Sequence, residues 1–257
     1  MDNVQSSVEL ITQKMQNSLS ENDTAFIRRI FANGLSKYIH RLIEYDFKNQ
    51  DIVLDAGCGF GQWSLALSTL NTNVFSCDIS DDRIKFLQQL CDVGNITNIE
   101  AEVSPLTDLP YEDDFFDVVF CYGVIFITDW RRSLSELTRV LKPGGRIYVN
   151  ANGLGWYIYL WESGHNEVRG YDPKLNAAKA FNNTINYRTN AITSEGQHVI
   201  IEPHEMFAEL NYHGIDNLEV AGEGLLAKQN PAPFFIDEYK GIKAVYEVIG
   251  QKVDVAG

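Results

Sequence analysis

Short apolar runs alternate with amphipathic stretches between residues 51 and 150. The apolar runs predict five strands, at residues 51–55, 73–78, 98–103, 116–122 and 146–150. The stretches between them predict helices at residues 62–70, 80–90 and 129–141, with Ser80 as an N-cap and Lys142-Pro143-Gly144-Gly145 as a stop signal. Strands that are separated by single helices imply a parallel sheet with right-handed crossovers.

The regions on either side of this core follow other patterns. Residues 4–45 are predicted to be helical, with a mild interruption at Gly34 and an apolar stripe that packs on the core domain or at the mouth of a site. Residues 151–200 are rich in aromatic side chains and asparagine, which predicts an inserted helical lid. A helix around 205–212 and a strand at 218–220 follow, and residues 244–249 suit a last strand or, almost equally, a helix.

These elements predict an α/β protein. We expect a doubly wound, mostly parallel, seven-stranded, Rossmann-like sheet with N-terminal helices and an inserted helical lid. The expected organisation is N-terminal helices packing on the core and site in 1–46, a ligand-binding core in 47–150, a substrate lid in 151–200 and completion of the α/β core in 201–257.

Composition and charge narrow the possible partners. The net charge is −14, from 35 acidic and 21 basic residues, and this field repels a nucleic-acid backbone. No run of 18 apolar residues occurs, so we expect a cytoplasmic protein that does not engage a membrane. Four cysteines, at positions 58, 77, 91 and 121, lack metal-ligand spacing and fit buried thiols in a reducing compartment. The oligomeric state is left open.

The sharpest motif is a glycine-rich turn after the first predicted strand. Residues 53–61 read Val-Leu-Asp-Ala-Gly-Cys-Gly-Phe-Gly, and a helix follows. The glycines permit a tight turn and let a ligand approach the backbone, while the helix N-terminus offers free N–H groups. Asp78 ends the second strand, where its carboxylate can accept both ribose hydroxyls of an adenosine.

Two details separate this turn from one that binds a dinucleotide. The third glycine or alanine of the dinucleotide fingerprint would fall at position 62, which is Gln62. Asp55 ends the first strand, where it can bind a cationic amino group directly or through water. That arrangement suits an amino-acid-bearing nucleoside better than a pyrophosphate, so an NAD(P)-linked oxidoreductase is the less favoured interpretation.

The turn resembles motif I of the class I S-adenosylmethionine-dependent methyltransferases, and further matches follow in order. Asp78 resembles the family's acidic residue after strand two. Residues 109–119 are similar to its LPF-x-D-x-SFD-x-V block, and residues 136–145 to its E-x-x-RVLKPGG block. The resemblance covers about 100 residues and implies an enzyme with S-adenosylmethionine as cofactor, S-adenosylhomocysteine as product and residues 47–150 as the cofactor-binding core.

The resemblance also implies roles for particular residues. The methionine part of the cofactor would lie against Asp55, Gly57, Cys58 and Gly59. The ribose would lie against Asp78 and the adenine against Ile79, while either Glu102 or Ser104 would hold the adenine amino group, because this chain lacks the usual Asp-Ala there. Tyr122 would lie near the sulfonium, its carbonyl contacting the cofactor and its ring lining the acceptor pocket.

The sequence constrains the methyl acceptor only by elimination. The N-methyltransferase signature Asp/Asn-Pro-Pro-Tyr/Phe is replaced by residues 121–124, Cys-Tyr-Gly-Val, which disfavours amides and nucleobases. Asp129 is the only acid near strands four and five, so no metal is expected. We therefore favour a hydroxyl oxygen of a small polar metabolite or sugar conjugate. Transfer to a small amine, or a non-catalytic protein that binds the cofactor or a partner, stays open.

A hydroxyl acceptor calls for a general base, and the histidines are the candidates. His165 ranks first because it lies within the predicted lid, and His204 ranks second; Tyr122 completes the candidate catalytic set. A structural or surface role is the simpler explanation for any single histidine in the chain.

Overall fold

The computed structural model describes residues 4–168, 170–190, 196–227, 229 and 233–253. The chain divides into two compact units, one that ends at Pro105 and one that begins at Leu106. The elements of the first unit are α1 (Val4–Lys14), α2 (Glu21–Phe31), α3 (Ser36–Glu44), β1 (Ile52–Ala56), α4 (Gln62–Ser68), β2 (Asn73–Asp78), α5 (Asp81–Gly94) and β3 (Ile99–Val103).

The second unit begins with a strand and a short 3₁₀ turn, and it contains the aromatic-rich stretch. Its elements are β4 (Phe116–Cys121), the 3₁₀ turn Ile125–Ile127, α6 (Trp130–Val140), β5 (Leu141–Asn152), α7 (Leu154–Ser163), α8 (Pro173–Asn190), α9 (Pro203–Tyr212), β6 (Ile215–Gly222), β7 (Glu238–Tyr239), β8 (Ile242–Lys243) and β9 (Val245–Lys252).

Seven of the strands form one sheet in the order β3-β2-β1-β4-β5-β9-β6. Within the first unit, β2 pairs in parallel with β1 and β3. Within the second, β4 and β5 are parallel, while β9 runs antiparallel to both β5 and β6. This arrangement confirms the predicted α/β fold with a mostly parallel seven-stranded sheet.

The last stretch of the chain adopts the strand alternative. The first six residues of β9 are all buried because the strand lies between β5 and β6. A strand buried on both faces reads as a continuous apolar run, and such a run does not distinguish a strand from a buried helix in sequence. The two-stranded β7-β8 hairpin was not predicted.

Residues 4–45 form three helices, with one break at the predicted interruption and one that the sequence did not indicate. Gly34 has φ +63°, a left-handed conformation that ends helical geometry. The break that was not predicted precedes α2, which Ser20 caps: its hydroxyl accepts a hydrogen bond from the Asp23 N–H at 3.0 Å, and the Asp23 carboxylate accepts from the Ser20 N–H at 3.3 Å. Apolar spacing continues through this break, which is why periodicity alone did not reveal it.

The apolar stripe of the first two helices packs on α5 and on the glycine-rich turn of the first unit. Side chains of α1 and α2 share one core cluster with α5 and with Phe60 of the glycine-rich turn. The Phe26 and Phe60 ring centroids are 6.1 Å apart, and those of Phe60 and Phe86 are 5.3 Å apart. The N-terminal helices therefore support the turn itself, through the aromatic residue between its glycines.

Arg139 clamps the loop that precedes β4 to helix α6. Its guanidinium donates to the carbonyls of Leu109 at 3.0 Å and Tyr111 at 2.8 Å, and to the Asp113 carboxylate at 2.8 Å. Glu136 completes the clamp, since its carboxylate accepts from Arg139 and from the Leu109 N–H at 2.9 Å. The hydrogen bond from Arg139 lowers the pKa of Glu136. Two sequence blocks of the family resemblance therefore meet in a structural contact.

Two helices, α7 and α8, occupy the stretch that was expected to form a lid, and they pack on each other. Residues 169 and 191–195 of the predicted lid lie outside the described residues. The division between Pro105 and Leu106 falls inside the expected 47–150 core, and the domain boundaries at 46, 150 and 200 stay predictions.

Candidate cofactor and substrate sites

The turn after β1 depends on glycine backbone conformations. Gly57, Gly59 and Gly61 have φ angles of +75°, +56° and +86°, which residues with a Cβ rarely adopt. The N–H groups of Gly57 and Cys58 both donate to the Cys77 carbonyl, at 2.8 and 2.9 Å, so the turn is tied to the end of β2. The three glycines therefore predict the turn, because its backbone requires positive φ angles at their positions.

The second and third glycines of the turn have different surroundings. A Cβ added to Gly61 would collide with the Leu87 side chain, so this glycine allows close packing of α5. A Cβ added to Gly59 would meet no atom within 4 Å. The backbone at Gly59 therefore faces open space, as a cradle for a ligand requires.

Asp78 ends β2, as the sequence predicted, and its side chain contacts the glycine-rich turn. Its side chain is buried, at 4% exposure, and its carboxylate accepts from the Gly59 N–H at 3.0 Å and from the Ser80 N–H at 2.9 Å. Arg83 lies 3.8 Å from the same carboxylate. Ser80 occupies the predicted N-cap position of α5, but its side chain makes no cap hydrogen bond.

Asp55 is 1% exposed and accepts a hydrogen bond from the Ser64 hydroxyl at 2.6 Å. Burial raises the pKa of Asp55 to about 7, although the Ser64 hydrogen bond opposes the shift. Cys58 is buried beside it, and burial together with the charge of Asp55 raises the pKa of its thiol. A cation bound next to this buried carboxyl would favour its charged form.

Apolar side chains lie exposed at the ends of two neighbouring strands. Ile79 is 57% exposed and Val103 is 49% exposed, and the register places Val103 opposite Asp78. Ser104 is buried, with its N–H donating to the Asp78 carbonyl at 3.1 Å, whereas Glu102 is exposed. A nucleoside would fit these features, which are the Asp78 carboxylate as a hydrogen-bond acceptor, the two exposed apolar side chains and the open backbone at Gly59.

In the second unit, Tyr122 directly follows β4 and belongs to a buried polar cluster. Its hydroxyl donates to Glu223 at 2.8 Å, and its ring meets Phe234 edge-on at 6.4 Å. Glu223 is fully buried and also accepts from the N–H groups of Phe234 at 2.7 Å and Phe235 at 3.3 Å. Sequence reasoning missed Glu223, because nothing near position 223 marks it as buried.

An aromatic pocket of about 370 Å³ lies in the second unit. His165 lines it, with Nδ1 3.1 Å from the Tyr159 hydroxyl and its ring 5.9 Å from that of Trp156. The other lining residues are Pro233, Phe234, Phe235, Ile236, Asp237 and Glu238. The histidine ranked first from sequence therefore lies in a pocket, and its role as a base stays a prediction.

The other histidines of the stretch lie elsewhere. His204 is exposed in the first turn of α9 and does not line the aromatic pocket. His198, which the sequence did not rank, is buried with Nδ1 3.2 Å from the Tyr157 hydroxyl. Burial lowers the pKa of His198 to about 4, so this imidazole is neutral at ordinary pH.

The described residues hold no group of three or more histidine, cysteine or acidic side chains arranged to bind a metal ion. None of the helices in the described ranges is long and apolar enough to cross a membrane.

Comparison with known proteins identifies the domain that contains the glycine-rich turn. Residues 54–149 match the family model described as a methyltransferase domain. A stretch of 106 residues is 31% identical to a demethylmenaquinone methyltransferase of Bacillus mycoides, covering 40% of this chain and 45% of that protein. A stretch of 102 residues is 35% identical to the ubiquinone/menaquinone biosynthesis C-methyltransferase UbiE of Proteus mirabilis, covering 38% of this chain and 41% of that protein.

Solved structures agree on the fold. A SAM-dependent methyltransferase of Methanosarcina mazei superposes with a TM-score of 0.54 at 20% identity, covering 82% of this chain and 97% of that one. The chain itself spans less than half the length of the two curated relatives above.

The segment at residues 54–149 is a methyltransferase domain, as the resemblance to the S-adenosylmethionine-dependent methyltransferases implies. This match confirms the family resemblance over those residues, and such a domain implies S-adenosylmethionine as its cofactor.

Proposed function

We propose that this chain transfers the methyl group of S-adenosylmethionine to a small molecule. The observation that carries the proposal is the buried Asp78 carboxylate, which holds the Gly59 backbone at 3.0 Å beside open space. The methyltransferase-domain match over the same residues supports it.

In this proposal the turn and the strand ends bind different parts of the cofactor. Asp78 accepts the ribose hydroxyls, because each carboxylate oxygen has a lone pair beyond the one used by the backbone. The exposed Ile79 side chain covers the adenine. The Asp55 carboxylate attracts the ammonium group. Backbone groups of Gly57, Cys58 and Gly59 lie along the methionine part, and Ser104 or Glu102 contacts the adenine amino group.

The cofactor and the protein would contribute different parts of the reaction. When bound, the cofactor supplies a methyl group on a sulfonium, which is already activated for in-line displacement. The chain therefore has to orient the acceptor and exclude water. An acceptor hydroxyl also has to lose its proton, and His165 is our candidate to take it at Nε2, since Nδ1 faces the Tyr159 hydroxyl.

The names of the relatives bear on the acceptor atom. One is named a demethylmenaquinone methyltransferase and the other a ubiquinone/menaquinone biosynthesis C-methyltransferase, and these names do not support the expected hydroxyl oxygen. We propose a small-molecule acceptor whose methylated atom is identified by the position of the label.

Transfer of labelled methyl groups tests the proposed function. The protein is incubated with methyl-labelled S-adenosylmethionine and fractionated small-molecule extracts, and products are separated by mass spectrometry. We expect a labelled small molecule and matching release of S-adenosylhomocysteine. The position of the label decides between oxygen, carbon and nitrogen. Tight S-adenosylhomocysteine binding without transfer in any fraction would instead support a non-catalytic binding protein.

We expect His165→Asn to lower transfer by about 10²-fold or more while leaving S-adenosylhomocysteine affinity unchanged, because only the proton acceptor is removed. His40→Asn is the matched control, since His40 is exposed on α3 and has no place in the candidate site, and it should transfer at the normal rate. Rates measured with the labelled cofactor compare the two variants. Equal rates for His165→Asn and the unmodified protein would remove His165 as the base.

The variants Gly59→Ala and Gly61→Ala distinguish a glycine that would contact the ligand from one that allows close packing of α5. The first variant places a methyl group in open space, so we expect a stability loss of about 1 kcal/mol from the positive φ and a loss of S-adenosylhomocysteine affinity of tenfold or more. The second drives a methyl group into Leu87, so its stability loss should be larger. Urea unfolding and calorimetric titration measure both quantities. Normal ligand affinity in Gly59→Ala would contradict the placement of the cofactor.

A further inference from the structure

The aromatic pocket has rings on several walls rather than a single flat face. The Trp156 and Phe235 centroids are 5.5 Å apart with planes at 81°, and those of Trp156 and His165 are 5.9 Å apart at 75°. Trp156 and Tyr159 are 5.7 Å apart with planes at 40°. Rings inclined to one another in this way present π faces from different directions, as an aromatic cage does.

A buried carboxylate fixes one wall of the pocket. Glu223 binds the N–H groups of Phe234 and Phe235 and also the Tyr122 hydroxyl. Replacing a fully buried, hydrogen-bonded carboxylate would leave several polar groups without partners, so this wall is held firmly. The cage therefore exists before a ligand arrives.

Among the described residues, the rim of the pocket carries more negative than positive charge. Asp237 and Glu238 line the pocket itself. Lys240 pairs with Glu162, with its ammonium 2.7 Å from Oε1, and Lys243 lies 4.0 Å from Asp237. In this described set, three carboxylates therefore stand against two ammonium groups beside the aromatic rings.

We propose that this pocket binds a small organic cation, namely a methylated ammonium or a protonated amine. Aromatic faces attract cations through their quadrupoles, and a nearby carboxylate adds to the attraction. Outside the lining of the pocket, Lys240 Nζ lies 5.5 Å over the Tyr239 ring, which packs on Tyr159 at 5.3 Å. The proposal rests on the second unit alone and goes beyond the proposed methyl transfer.

Charge distinguishes an organic cation from other ligands of similar size. A carboxylate or phosphate would be repelled by Asp237 and Glu238. A flat neutral ring would gain from stacking on Trp156, but it would gain nothing from the acidic rim. Preference for a cation over a neutral molecule of the same shape is therefore the distinguishing property.

Choline and 3,3-dimethylbutan-1-ol provide the test, because they share a shape and differ in charge. Calorimetric or saturation-transfer NMR titration of the whole protein should show choline binding about tenfold or more tightly than the alcohol. Trp156→Leu should remove that preference, whereas Trp161→Leu, at an exposed position on the same helix, should keep it. Equal binding of the two compounds, or binding of neither, would overturn the proposal.

The acidic rim has its own matched variants. Combined Asp237→Asn and Glu238→Gln substitutions should reduce choline affinity to near that of the alcohol, while Glu167→Gln, at an exposed acid outside the pocket, should not. An unchanged choline affinity in the double variant would overturn the charge contribution. Titration of S-adenosylhomocysteine on the same sample keeps the two proposals apart, since cation binding does not require cofactor binding.

Discussion

Asp78→Asn is expected to weaken S-adenosylhomocysteine binding by about 10- to 100-fold. Charge-assisted hydrogen bonds contribute about 1.5–3 kcal/mol each, and the ribose hydroxyls would lose them. Asparagine also offers one carbonyl oxygen where the carboxylate now serves the N–H groups of both Gly59 and Ser80. Calorimetric titration measures the affinity, and thermal unfolding reports how much the turn itself is loosened.

Asp81→Asn is the matched control for that substitution. Asp81 begins the same helix, but its side chain is 61% exposed and it pairs with Lys85 on the surface. Removing its charge should leave S-adenosylhomocysteine affinity within about twofold, because exposed ion pairs contribute little. Normal affinity in Asp78→Asn, or equal losses in both variants, would contradict a direct contact between Asp78 and the ribose.

Asp55 should make the stability of the protein depend on pH near neutrality. Burial raises the pKa of this carboxyl in the folded state to about 7, above its ordinary value of 3.8. Between those values the folded state binds more protons than the unfolded state. The free energy of unfolding therefore gains a contribution that falls as pH rises from about 4 to 7 and then levels off.

Asp55→Asn should remove that contribution. Relative to the unmodified protein, the variant should gain about 2–3 kcal/mol of stability on going from pH 5 to pH 8, measured by urea unfolding at both pH values. It should also lose affinity for S-adenosylhomocysteine at pH 8, because the ammonium group loses its carboxylate partner. Asp51→Asn, at an exposed position before β1, is the control. A stability difference that is the same at both pH values would contradict the raised pKa.

The cofactor turn could be predicted from sequence because its determinants are local. Glycine adopts the positive φ angles found at positions 57, 59 and 61 more readily than other residues, and Asp78 ends the strand that lies next to the turn. The parallel sheet followed from the same regularity of strands and helices. The sequence signal for each of these features lies in the element that it forms or next to that element.

Features that depend on packing between distant parts of the chain could not be predicted. Glu223 binds Tyr122 across 101 positions, and neither residue signals the other in sequence. The cap at Ser20 is local, yet the apolar spacing that continues through it concealed the break between α1 and α2. Asp237 and Glu238 come to lie beside Trp156, Tyr159 and His165 only because the region around β7 folds onto α7.

Competitive titration with S-adenosylhomocysteine and NADH tests the central claim most directly. Our account predicts that S-adenosylhomocysteine binds one site and that NADH binds at least about 100-fold more weakly, a difference of roughly 2.7 kcal/mol. The absence of a third glycine or alanine at Gln62 is the reason for that preference. Tighter binding of NADH, or no binding of S-adenosylhomocysteine, would contradict the account.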